Sequence, residues 1–143
     1  MSNYLLIKQG TIHNAIEEEP FVADILVENG KIKKIAPVLE GKIINDAEVI
    51  DAMGIDIYPG FVDAHCHMGL DGYATGFAGE DYNELGDPVT PQLSAVDAVN
   101  PQDETFQMAR EGGVTCVCTG PGSSNVIGGT FCAIKTYGKR VDD

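Results

Sequence analysis

His65 and His67 are the residues whose type and spacing could do chemistry in this 143-residue chain. In a β-strand, positions i and i+2 point to one face, so both imidazoles project together and can share a cation. Asp63 lies on the same face two residues earlier, where it either orients a ligand or stays structural. If the strand is parallel and the pair sits at its C-terminal end, the site opens where α/β folds place their chemistry. Against this stands coincidence, in which one histidine is exposed and the other is satisfied inside a core.

A second candidate is the glycine-rich run Gly120-Pro121-Gly122-Ser123-Ser124-Asn125-Val126-Ile127-Gly128-Gly129. Following a strand, it could offer backbone N–H groups to a substrate oxyanion, with Gly122, Ser123 and Asn125 as the substrate-binding candidates. It lacks the Gly-Lys-Ser/Thr of a P-loop and the spacing of a dinucleotide fingerprint, and a tight turn without ligand explains it equally well. Cys116 and Cys118 also share a strand face; with His65 and His67 they could form a Cys2His2 zinc site, or be core thiols. Ser123 and Ser124 have no evident His-Asp partners, so a nucleophilic triad is unsupported. His13 reads as a surface or turn residue of the N-terminal part.

The elements that must position these residues follow from pattern. Residues 1–58 read as short strands joined by turns: Tyr4–Lys8, Thr11–His13, Phe21–Glu28, Lys31–Ile35, Glu48–Asp51 and Ile55–Tyr58. Asn29-Gly30 is a strong hairpin signal, because both residues tolerate the positive φ of a type I′ turn. Ile25 and Val27 alternate with Asp24, while Leu26 breaks the period, which predicts one buried face and one partly wet face. Glu17-Glu18-Glu19-Pro20 reads as a solvated loop. Phe61–His67 reads as a strand, followed from Gly69 to about Pro91 by an aperiodic stretch, either a functional loop or disorder. Asn100 as N-cap and Pro101 at the first position predict a helix with Phe106, Ala109 and Met108 on its buried side, ended by Gly112-Gly113. Val114–Thr119 is the next strand, and a further helix is expected from near Thr130. Strand, loop, helix, strand is the βαβ pattern of a parallel sheet.

Charge narrows the partners. The chain has 9 Lys+Arg against 22 Asp+Glu, a formal net charge of −13. From Ile43 to Ala109 there are 13 acidic residues and no basic one, so the excess lies in the segment that holds the histidines. Nucleic acid and anionic lipid surfaces need clustered Lys/Arg and are disfavoured. Either the field favours a divalent metal and a cationic or neutral small molecule, or most of these carboxylates simply form a solvated acidic loop. No apolar run approaches the ~20 residues of a membrane span. The apolar run Tyr4–Ile7 is too short for a signal-peptide core, so the chain reads as cytoplasmic and its four cysteines as thiols.

Pro59-Gly60-Phe61-Val62-Asp63-Ala64-His65-Cys66-His67 resembles the Pro-Gly-Phe-hydrophobic-Asp-x-His-x-His strand of the amidohydrolase superfamily. Upstream, Leu5–Ile12 and Ala23–Ile35 resemble that family's N-terminal β-sandwich strands. Gly112-Gly113-Val114-Thr115, leading into the glycine-rich loop, is most similar to the imidazolonepropionase-related branch. The resemblance covers nearly the whole chain. It implies an α/β protein: a small β-sandwich part over 1–58, flanking the start of a (β/α)8 TIM-like barrel over 59–143. It also implies a centre of one or two divalent ions, zinc first among them, with His65 and His67 as ligands from the first barrel strand. The implied reaction is hydrolysis of a C–N bond outside peptides, such as a cyclic amide, by a metal-activated water.

A full barrel needs about 250 residues, so a chain ending at Asp143 after about two βα units reads as an N-terminal portion. Its catalytic base would lie further on, and two imidazoles supply half of zinc's usual four ligands, so inactivity alone is expected. An unpaired strand edge invites homo-oligomers. Two other readings stay open: a non-catalytic folded or self-associating module, and a small Cys/His zinc protein.

Overall fold

The computed structural model describes residues 3–41 and 46–141. The chain divides into two compact units, Met1–Pro59 and Gly60–Asp143.

The first unit is a five-stranded mixed sheet. Strands β1 (Tyr4–Ile12), β2 (Phe21–Glu28), β3 (Lys31–Ala36) and β4 (Glu48–Asp51) lie in the order β3-β2-β1-β4, and β5 (Asp56–Ile57) also pairs with β1. β1/β2 and β2/β3 are antiparallel, whereas β4 and β5 run parallel to β1. The β2–β3 turn is the one that Asn29-Gly30 predicts, with φ of 51° and 74°. The expected small β unit is therefore present, but among the described residues it forms one sheet and not two facing sheets.

The expected break after Lys8 is instead an irregularity inside one long strand. Register shifts between Ile7 and Gly10, where Gln9 adopts φ 57°. That bulge turns the Gln9 amide toward Asp24, whose Oδ1 accepts from Gln9 N at 2.9 Å and Gln9 Nε2 at 3.1 Å. Asp24 Oδ2 accepts from Leu39 N at 2.9 Å. Asp24 is thus fully buried, not on a wet face, and Ala23, Ile25 and Leu26 beside it are buried too. The reason is that both faces of β2 are covered: Leu6, Leu26 and Leu39 pack together on one side, and Ile12, Ala23 and Ile25 on the other.

In the second unit β6 (Phe61–Cys66), β7 (Val114–Thr119) and β8 (Cys132–Lys135) form a sheet in the order β6-β7-β8. β6 and β7 are parallel, as the βαβ reading requires, while β8 is antiparallel to β7. β8 replaces the helix expected from near Thr130. Its residues alternate half-buried Cys132 and Ile134 with exposed Ala133 and Lys135, a period of two that suits a strand. The crossover packs Leu70, Ala95, Val99 and Phe106 against Val117, and full burial of each large side chain contributes roughly 1.5–3 kcal/mol.

The crossover helix spans Glu104–Glu111 and is capped by Asp103, whose carboxylate accepts from Thr105 N at 2.9 Å. Asn100 is not the cap: it forms a preceding turn, accepting from Gln102 N at 3.1 Å. The acid nearer Phe106 caps because the turn ahead uses up the intervening residues. Phe106 is buried as expected, whereas Met108 is exposed. Gly112 and Gly113 end the helix, Gly113 with φ 84°.

Candidate metal centre

The histidine strand is positioned from both ends. At its start, Gly60 lies so close to Thr115 of β7 that any Cβ would overlap that side chain. Past its end, Thr119 Oγ1 donates to Met68 O at 2.8 Å and Gly120 N to Cys66 O at 3.2 Å. These bonds hold the end of β6 to the end of β7. His65 is the fifth residue of β6, and His67 is the first residue beyond it.

The two imidazoles do come together, with ring centroids 5.5 Å apart and planes at 80°. His65 is exposed and His67 half-buried. His67 Nδ1 lies 2.7 Å from Gly120 O. A backbone carbonyl only accepts, so Nδ1 carries the proton and the neutral ring keeps its lone pair on Nε2. That is the arrangement in which a histidine ligates a metal while its other nitrogen is held by a carbonyl.

Two aromatic rings, which sequence pattern did not single out, frame the pair. Tyr82 stacks on His67 at 5.2 Å and 15°, and Phe131 lies 5.1 Å from His65 and 6.5 Å from His67. Gly120 must be glycine, because a Cβ there would run into the Phe131 ring. The Tyr82 hydroxyl is raised above its ordinary value by the Glu80 charge, then by burial and by Asp71, which keeps it protonated. Phe131 follows the glycine-rich loop and Gly120 opens it, so both carry a weak positional signal. Tyr82 sits in the aperiodic acidic stretch and carries none.

Asp63 does not reach an imidazole in any bond of the structure. Its Oδ1 accepts from His65 N at 3.1 Å, fixing the backbone of the histidine instead of its ring. The glycine-rich loop turns most of its polar groups on the acidic stretch. Gly122 N donates to Tyr82 O at 2.6 Å, and Asn125 Nδ2 donates to Glu84 O and Asp87 O, both at 2.8 Å. Val126 N and Ile127 N both reach Pro88 O, at 2.9 and 3.1 Å. Residues 82–88 are accordingly clasped by the glycine-rich loop. Ser123 is exposed beside them.

The Cys2His2 grouping is not assembled: among the described residues no three His, Cys, Asp or Glu side chains gather to hold a metal ion. Burial, then Cys118 and Cys66, raise the Cys132 thiol, which favours the protonated form over the thiolate that ligates metal. Of the four side chains in that grouping, the two imidazoles are the ones shown to meet. No helix among the described residues is long and apolar enough to cross a membrane.

No family model matches the chain. It is 35% identical over 116 residues to amidohydrolase tasK of Hapsidospora irregularis, a match covering 80% of this chain and 12% of that protein. It is 42% identical over 64 residues to dihydroorotase of Aquifex aeolicus, covering 45% of this chain and 14% of that protein. The solved structure of an amidohydrolase from Thermotoga maritima superposes with a TM-score of 0.88 at 42% identity, covering 96% of this chain and 35% of that one. The chain thus spans about an eighth of its curated relatives and about a third of the solved one. These names speak to the superfamily and not to a branch within it. Strand, histidine pair and overall match agree: the chain belongs to the amidohydrolase superfamily, of which it represents an N-terminal portion.

Proposed function

We propose that this chain forms part of a metal-dependent hydrolase of non-peptide C–N bonds, with His65 and His67 as two imidazole ligands of a divalent ion, zinc being one of the metals that imidazole suits. The observation that carries this reading is the Nδ1 contact of His67 to Gly120 O, which leaves Nε2 available. The acidic surroundings attract a cation, and a relative named dihydroorotase points to a cyclic amide as substrate. The parallel pair β6/β7 serves as the first two strands of a (β/α)8 barrel over 59–143, which follows the β unit of 1–58 in the chain.

When bound, the ion supplies Lewis-acid activation of a water for attack on the amide carbon. The residues of this chain do the rest of what is assigned to it. Gly120 O keeps the proton on His67 Nδ1, Tyr82 and Phe131 hold the ring planes, and Asp63 fixes the His65 backbone. Gly122, Ser123 and Asn125 are assigned to the substrate; Gly122 N is already engaged by Tyr82 O and Asn125 Nδ2 by Glu84 O and Asp87 O, which leaves exposed Ser123 as the open contact. The proton-transferring base is not among these residues, and the work is that of a soluble cytoplasmic enzyme.

The test is metal content and hydrolysis of dihydroorotate and hydantoin by the whole enzyme. His65→Ala and His67→Ala each lose bound metal and at least a hundredfold of kcat/KM. Unchanged turnover in either variant overturns the reading.

A further inference from the structure

Asparagine is a chemically labile residue, and Asn29 stands apart among the seven in this chain because it is the one followed by glycine. The pair forms the two-residue turn between β2 and β3, and both residues are exposed. A Cβ placed on Gly30 would meet nothing within 4 Å, so no neighbour crowds the turn there. Among the described residues neither the Asn29 carboxamide nor Gly30 N is in a hydrogen bond. Asn29 N donates to Asn3 O at 2.9 Å, and that bond uses neither group. An unpartnered amide nitrogen thus sits one residue beyond an electrophilic carboxamide carbon. With φ of 51° at Asn29, the turn holds the backbone in the left-handed region, which few residue types adopt. Closing a ring between the two groups takes rotation about the Asn29 ψ, and what resists that rotation is the turn itself.

We propose that Asn29 is a site of spontaneous covalent modification, at which the hairpin converts its own asparagine to aspartyl and isoaspartyl residues. Gly30 N attacks Asn29 Cγ; the N–Cγ bond forms, the Cγ–Nδ2 bond breaks, and ammonia leaves with the proton of Gly30 N. Water then opens the five-membered imide. Cleavage at Cγ gives aspartate in the ordinary chain. Cleavage at the Asn29 carbonyl carbon gives isoaspartate, whose main chain is longer by one carbon. Either product puts a new carboxylate next to Glu28, which is already engaged by Tyr4 Oη at 2.8 Å and Lys33 Nζ at 2.6 Å. The longer chain no longer fits the tight turn that sets Glu28 opposite Lys31. β3 is an edge strand that pairs with β2, so the modification loosens β3 first.

The full chain is aged at neutral and at alkaline pH and followed by peptide mass spectrometry. Asn29 gains the mass of an amide turned to an acid at least tenfold faster than any other asparagine, and the peptide that contains it accepts methyl groups from an isoaspartyl methyltransferase. The rate rises with pH, because the attacking nitrogen must lose its proton. Asn29→Gly keeps a turn-forming pair and lowers the mass gain of the whole chain at least fivefold. Amide hydrogen exchange along β3 is at least threefold faster in the modified fraction than in fresh chain. Another asparagine reacting first, a mass gain unchanged by Asn29→Gly, a rate indifferent to pH, or β3 amides that exchange alike before and after ageing overturns the proposal.

Discussion

Asp24 and Thr90 are both buried polar side chains, one in each unit, and the fold treats them in opposite ways. Asp24 accepts three hydrogen bonds from Gln9 and Leu39, and a bulge in β1 aims one of the donors. Thr90 Oγ1 has none. The histidines divide along the same line. In the first unit His13 is engaged on Nε2 by Asp56 at 2.9 Å and stacked on Tyr58 at 4.2 Å. In the second, His67 is held on Nδ1 and leaves Nε2 to a ligand. The difference teaches where to look for function: polar groups that the fold completes are structural, whereas His67 is held on one nitrogen with the other left for a ligand.

The largest effect that could break this contrast is at Asp24. Asp24→Ala strands the Gln9 and Leu39 donors and lowers stability by about 2–4 kcal/mol, read by urea unfolding. A loss below about 1 kcal/mol, the size of an ordinary surface change, would remove the structural half of the comparison.

Acid sharpens it next. Burial by itself would raise the Asp24 carboxyl, but the Leu39 amide and the Gln9 side chain and amide, with the charge of Lys8, together hold it below the ordinary value. The folded carboxyl thus binds its proton at lower pH than the unfolded one, whose value is about 3.9. Its stabilisation is complete above that value and is lost as pH falls through the folded one. Unfolding measured from neutrality down to acid should show a steeper acid limb in the parent than in Asp24→Ala; identical limbs contradict the assignment.

The smallest effect is at the opposite pole. Thr90→Val removes a hydroxyl that pairs with nothing, so stability should stay level or rise by up to about 1 kcal/mol. A loss of the size seen at Asp24 would mean that the hydroxyl is already satisfied.

Local chemistry was legible in the sequence, and contacts made across the fold were not. Asn29-Gly30 declares its turn because two positive φ values need those residue types, and the histidine spacing declares a shared face. Alternation does not locate Asp24, because it reports only which residues share a face, while burial depends on what later covers it; Leu39, far along the chain, does so here. The helix cap moved from Asn100 to Asp103 because two acceptable capping residues lie three apart, and only the turn between them decides. Phe131 and Tyr82 meet the histidines through the closure of β6 on β7 and through the clasp on residues 82–88, which no local window contains.

The central claim, that His65 and His67 share one cation and that His67 meets it through Nε2, is tested most directly by nitrogen NMR of 15N-histidine-labelled chain, titrated with Zn2+ at about pH 8, above the ordinary imidazole range. Before metal, the proton of His67 is expected on Nδ1; on titration, the Nε2 signal of His67 and one ring-nitrogen signal of His65 shift together. A proton on His67 Nε2, or Zn2+ that leaves the signals of both rings in place, would contradict it.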